Sequence, residues 1–224
     1  MALAKKIVES VQSETTFKIY IVIPAVPGMA GRLEKNTGFG QECIMHLTFE
    51  SINRGKTSIG QYCEDNGVEN WSEYLHFASY RKADNIRGKP VQEIIYPHSK
   101  LMIVDDQHVI IGSSNINDRS MMGDRDSEVA IYAHDETGEF GKSLRLKIWS
   151  VALGIEIDDS ILEECPSSDA MFNHWTTVAN ENFEIYDELF AILPNETVDA
   201  MPAGEGSFFG EDASEAYLQV RSLF

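Results

Sequence analysis

Between residues 17 and 132 the chain carries six short apolar or alternating runs, at 17–23, 73–79, 91–96, 100–104, 108–112 and 127–132. They are rich in the β-branched and aromatic residues that fit a pleated surface, and each is too short to be a helix of its own. Helical periodicity flanks them. Leu3, Ile7, Val8 and Val11 share one face over residues 2–13, residues 41–53 return to the same spacing before Gly55, and 140–153 reads as an amphipathic helix stopped by Gly154. One or two more helices are predicted over 169–193, ahead of Pro194. The pattern specifies an α/β fold: a mixed sheet of at least five strands flanked by helices. Pro24, Pro27 and the glycines at 28, 31, 38 and 40 mark a mobile loop over 24–40, and the last 25 residues, which have no strong period, are expected to be loosely ordered.

Composition sets the outer limits. With 224 residues, 43% hydrophobic and 24% charged, the chain has the make-up of a globular protein with a core of its own. No apolar run approaches the roughly 20 residues that span a bilayer, and Glu9, Gln12 and Glu14 break up any secretory-signal core near the N-terminus, so a cytoplasmic protein is expected. Three cysteines, Cys43, Cys63 and Cys165, with no C-x-x-C pair, suit reduced thiols better than disulfides or a zinc site. The net charge of −18 is uneven: residues 151–224 hold 16 acidic residues and a single basic one, Arg221. An α/β catalytic half over 1–154 and an acidic, partly helical extension over 155–224, packing on the same domain, are therefore expected. Such acidity disfavours nucleic acid as a partner, because duplex binding draws on Lys and Arg to neutralise phosphates.

The segment from His98 to Asn115 carries the chemistry. Strands 100–104 and 109–112 flank the polar Asp105-Asp106-Gln107, a hairpin signal. With a two-residue loop at Asp106-Gln107, opposed positions sum to 213, so Lys100 faces Ser113 and His98 faces Asn115. All four then project from one face at the open end, and a one-residue slip would break the set apart. Lys100 supplies a point charge, while Ser113 and Asn115 supply neutral donors for the non-bridging oxygens of a phosphodiester. The imidazole of His98 can attack phosphorus or protonate a leaving alkoxide. One histidine cannot do both in the same in-line step, because attack and departure lie on opposite sides of phosphorus, so a second is required.

His98-x-Lys100-x4-Asp105-x6-Gly112-Ser113-x-Asn115 resembles the HKD signature of the phospholipase D superfamily at every fixed position. The surrounding stretches at 20–28, 44–55, 98–106, 109–121 and 125–132 resemble the C-terminal catalytic half of eukaryotic phosphatidylcholine-specific members. The resemblance implies an α-β-α sandwich forming one half of a two-HKD pseudo-dimer, hydrolysis of phosphatidylcholine to phosphatidic acid and choline through a phosphohistidine, possible transfer to alcohols, and no cofactor or metal. It implies the acid and base role for His98. It also implies a second HKD half as partner, since none of His46, His76, His108, His134 and His174 has a lysine two residues on. Peripheral membrane contact is expected, with the 24–40 loop as an apolar rim. The same residues leave open an inactive single-HKD fragment or head-group binding module, and a homodimeric nuclease. Glu128 is the expected partner of the catalytic imidazole, Asp126 being the competing choice. Asp105, although named by the signature, falls at the turn, where a structural role is expected. Gly112 is expected to let backbones approach, and Asn117-Asp118-Arg119-Ser120 to line the cleft unless Asp118 and Arg119 pair.

Overall fold

A computed structural model describes residues 1–28 and 39–190, together with a strand at 220–223. Most of the expected rim loop, residues 29–38, and residues 191–219 of the acidic extension lie outside the described residues. The fold is mixed α/β, as the alternation of periodicities requires. Among the described residues the strands form two sheets of four and three strands, where a single sheet was expected. The described residues divide into two compact units, residues 1–96 with those from 164 on, and residues 97–163.

In the first unit, helix α1 (Ala2–Gln12) feeds strand β1 (Ile19–Val22), and helix α2 (Phe39–Phe49) runs into a π-helical turn at Glu50–Arg54 before helix α3 (Ile59–Asp65). Strand β1 pairs in parallel with β2 (Leu75–Ile86), which pairs antiparallel with β3 (Lys89–Ile95). Ile7 of α1 packs with Met45, Phe49, Cys63, Leu75 and Phe77 in one buried cluster. Helix α6 (Asp169–Phe190) buries Met171, Phe172, Trp175, Ala179, Phe183 and Tyr186, an apolar stripe at helical spacing. Trp175 donates its indole N–H to His76 Nδ1 at 3.1 Å, and the Tyr20 hydroxyl donates to the Pro166 carbonyl at 2.7 Å. These contacts attach the segment after 163 to the N-terminal strands. Strand β7 (Val220–Leu223) pairs in parallel with β2 within a stretch expected to be loose. Among the described residues no helix is long and apolar enough to cross a membrane.

The second unit is an antiparallel sheet of β4 (Lys100–Val104), β5 (His108–Gly112) and β6 (Ala130–His134), with the short helix α4 (Asp118–Met121) between β5 and β6 and helix α5 (Glu139–Leu153) after them. Gly154 caps α5 at φ 65, in the left-handed region that a residue without Cβ enters freely. The β4–β5 register corrects the sequence reading. Lys100 opposes Gly112 and Val104 opposes His108, so opposed positions sum to 212 and the loop is the three residues Asp105, Asp106 and Gln107. Asp105 and Asp106 take positive φ, 53 and 58, which aspartate tolerates better than most residues, and the Gln107 N–H returns to the Val104 carbonyl at 3.1 Å.

Candidate active site

Lys100 opens β4, with His98 two residues upstream and exposed. The Lys100 ammonium donates to the backbone carbonyl of His98 at 2.7 Å, which keeps the charge beside the histidine and leaves two of its three protons for other acceptors. The one-residue slip places Gly112 opposite Lys100 and so removes the direct Lys100–Ser113 opposition. The set is rebuilt through the third strand. Ala130 of β6 opposes Gly112, so counting back by two along the chain brings Glu128 towards the side Lys100 occupies.

Glu128 is the centre of the arrangement. Its Oε2 accepts from the Ser113 hydroxyl and its Oε1 from the Ser120 hydroxyl, both at 2.5 Å. These two donors, Ser113 first, hold the Glu128 carboxyl below the usual carboxylate range, and the Lys100 ammonium pulls in the same direction, while partial desolvation and Asp126 push the other way. A depressed value means that the ionised carboxylate is what the fold favours. Its contribution is complete above the ordinary carboxylate value and is lost only as pH falls through the lowered one.

This network bears on two expected roles. Each Glu128 oxygen accepts one serine hydroxyl, so the carboxylate holds the loop after β5, and each oxygen keeps a further lone pair of the kind the expected imidazole contact needs. Ser113 Oγ gives its one proton to Glu128 and accepts the Val129 N–H at 3.0 Å, so it is committed within the protein and is not a ready donor to a phosphoryl oxygen. The donors that remain are Lys100 and the exposed carboxamide of Asn115, which among the described residues makes no hydrogen bond within the protein. The Asn115 backbone N–H is fixed by the Ser120 hydroxyl at 3.1 Å.

Asp105 is not brought into this cluster. It lies beyond the far end of β4, about 16 Å from Lys100 at about 3.3 Å per strand residue, and serves the turn. Asp126, the competing acidic choice, accepts from both Arg119 Nε at 2.9 Å and Nη2 at 2.8 Å, so Arg119 pairs with Asp126 and not with its neighbour Asp118. Gly112 permits close approach, as expected. A Cβ there would sit 2.5 Å from the Val129 carbonyl oxygen and 2.6 Å from the Ala130 Cβ. Gly112→Val is therefore predicted to push β6 from β5 at a cost of about 1–3 kcal/mol, seen as a lowered melting temperature together with loss of the Ser113–Val129 hydrogen bonds. Ser120 was placed at the cleft by the sequence, but nothing there marked its bridging role. Among the described residues no group of three or more His, Cys, Asp or Glu side chains is placed to hold a metal ion.

A model of the family described as Phospholipase D matches residues 1–197. The chain belongs to the phospholipase D family. It is 38% identical over 212 residues to phospholipase D1 of Homo sapiens, covering 88% of this chain and 20% of that relative. Likeness to phospholipase D2 of Bos taurus is 34% over 200 residues, 84% of this chain and 21% of the relative, and to phospholipase D zeta 2 of Arabidopsis thaliana 33% over 213 residues, 88% and 20%. The chain thus spans about a fifth of the length of these family members.

Proposed function

We propose that this chain is the C-terminal HKD half of a phospholipase D, and that its site binds the phosphodiester of phosphatidylcholine and releases choline, leaving phosphatidic acid or a transphosphatidylated product. The observation that carries the reading is the Lys100 ammonium tethered to the His98 carbonyl, with Asn115 held by its backbone N–H on a loop clamped by Glu128. A point charge and a neutral donor on a fixed frame suit the non-bridging oxygens, whose charge redistributes as the ester bond breaks. His98 beside them would donate a proton to the leaving choline oxygen and take one from the incoming water or alcohol. A histidine from a second HKD half would attack phosphorus from the opposite side. The contact with that half, and peripheral contact with a phospholipid surface, belong to the same proposal.

The test compares choline release from phosphatidylcholine vesicles by the purified chain with release when a first HKD half is supplied, with the chain's mass in solution measured in parallel. Release that appears only when a second motif histidine is present is the expected result. Turnover by a strict monomer would overturn the two-histidine scheme, and hydrolysis of DNA in preference to phosphatidylcholine would overturn the substrate.

A further inference from the structure

Ser120 joins the loop after β5 to the segment that leads into β6. It lies within α4, the four-residue helix Asp118–Met121, whose preceding residue Asn117 accepts the Ser120 backbone N–H on its side-chain oxygen at 3.1 Å. That cap fixes the backbone of Ser120 and with it the direction of the hydroxyl. The hydroxyl is used in both senses: its proton goes to Glu128 Oε1 at 2.5 Å, and its oxygen receives the Asn115 N–H at 3.1 Å. Ser113 on the other Glu128 oxygen completes a closed chain, Asn115 to Ser120 to Glu128 to Ser113 to Val129, that joins the loop after β5 to the start of β6.

We propose that Ser120 is a positioning residue: by bridging Glu128 and the Asn115 amide it sets where the Asn115 carboxamide stands relative to Lys100, and so tunes the affinity of the site for a phosphoryl group. The proposal rests on the phosphodiester reading of the site, yet its first readouts need no ligand. A loop of this kind, from Ser113 to Asp118, would otherwise sample many backbone conformations, and a donor that must be ordered at binding gives back part of the interaction it makes. A hydroxyl alone can serve the bridge, because it must donate to a carboxylate and accept from an amide at once. Alanine does neither, whereas threonine does both.

The experiment uses the full chain, isotopically labelled, with Ser120→Ala, Ser120→Thr and Glu128→Gln followed by NMR. Three quantities are read: the protection of the Asn115 amide from solvent exchange, the titration of the Glu128 carboxyl, and the affinity for glycerophosphocholine and for inorganic phosphate. In Ser120→Ala the Asn115 amide should lose protection, and the Glu128 carboxyl, still facing Lys100, Asp126 and Ser113, should titrate closer to the ordinary value. Affinity for either probe should fall roughly 5- to 10-fold, the size expected for one lost hydrogen bond. Ser120→Thr should restore all three. Adding Ser120→Ala to Glu128→Gln should cost much less than it does alone, since both act on one network. The proposal is overturned if Ser120→Ala leaves the Asn115 amide and the Glu128 titration as they were, or if both move while probe affinity holds. Should the unaltered chain bind neither probe, the phosphodiester reading fails by itself; Ser120 as a brace is then decided by the amide and carboxyl readouts, restored or not by threonine.

Discussion

Replacing His98 with alanine is expected to abolish choline release and alcohol transfer in the active assembly, with a loss of at least about 10³-fold, the upper part of the range for a lost general acid and base. The size of the effect follows from the absence of a substitute. In the unit that holds the motif, the other imidazoles are His108 and His134, and these stack on each other with centroids 4.6 Å apart, at the turn end of the sheet. His108 also bonds the Tyr132 hydroxyl through Nδ1 at 2.7 Å. Neither is placed to reach the end where Lys100 and Asn115 project. Lys100→Ala should reduce turnover by a comparable amount through loss of charge at the non-bridging oxygens, and Lys100→Arg should recover only part, because a planar fork does not reproduce a compact ammonium. Since His98 is exposed, its replacement should leave the melting temperature nearly unchanged. The decisive pairing is therefore lost turnover with retained fold. A His98→Ala protein that releases choline at the parent rate would remove this residue from the chemistry, whatever the motif spacing.

The difference between the expected and observed hairpins shows what a sequence can fix and where it stops. Apolar runs located β4 and β5, because β-branched and long apolar side chains in a short run favour a pleated surface, although in these two strands Val109 alone is buried. The loop between them left none: Asp105, Asp106 and Gln107 are all polar, and whether two or three of them turn the chain depends on the positive φ of the two aspartates. The choice of turn moved the register by one, and with it the residue opposite Lys100. The same limit hid half of β2. Leu75 to Ser79 are buried and fall in the apolar run at 73–79, whereas Tyr80 to Ile86, most of them facing solvent, show no apolar period. They are held by the ladder to β3 across the two-residue turn Arg87-Gly88, at φ 54 and 75. The site followed the same rule. Signature spacing named Lys100, Ser113 and Asn115, and the family resemblance pointed to Glu128, yet which group Glu128 would hold depended on β6 lying beside β5. Arg119 illustrates it again: its partner is seven residues away at Asp126 and adjacent only in space.

Asp106→Ala is expected to destabilise the unit by about 3–5 kcal/mol, the usual cost of removing one member of a buried ion pair. Asp106 receives Arg145 Nε at 2.8 Å and Nη2 at 2.7 Å, a bidentate pair whose guanidinium also lies 4.9 Å from the Trp149 ring centroid. The Arg145 side chain is 7% exposed, so without Asp106 its charge would be left desolvated and uncompensated. A Cβ on Gly141 of α5 would run into the Asp106 backbone, so the turn packs directly on the helix that carries Arg145. Asp105 is adjacent and shares the positive φ, but its side chain is exposed; Asp105→Asn should be nearly neutral and Asp105→Ala should cost about 1 kcal/mol, from the left-handed backbone alone. Pairing Asp106→Leu with Arg145→Met should recover much of the loss, because two apolar groups bring no desolvated charge. The measurement is chemical denaturation of the four variants, with binding of glycerophosphocholine to the folded fraction as control. Binding should persist in each, since the turn is a full strand's length from Lys100. Equal destabilisation by Asp105→Ala and Asp106→Ala would show that the turn conformation, and not the arginine pair, anchors this end of the hairpin.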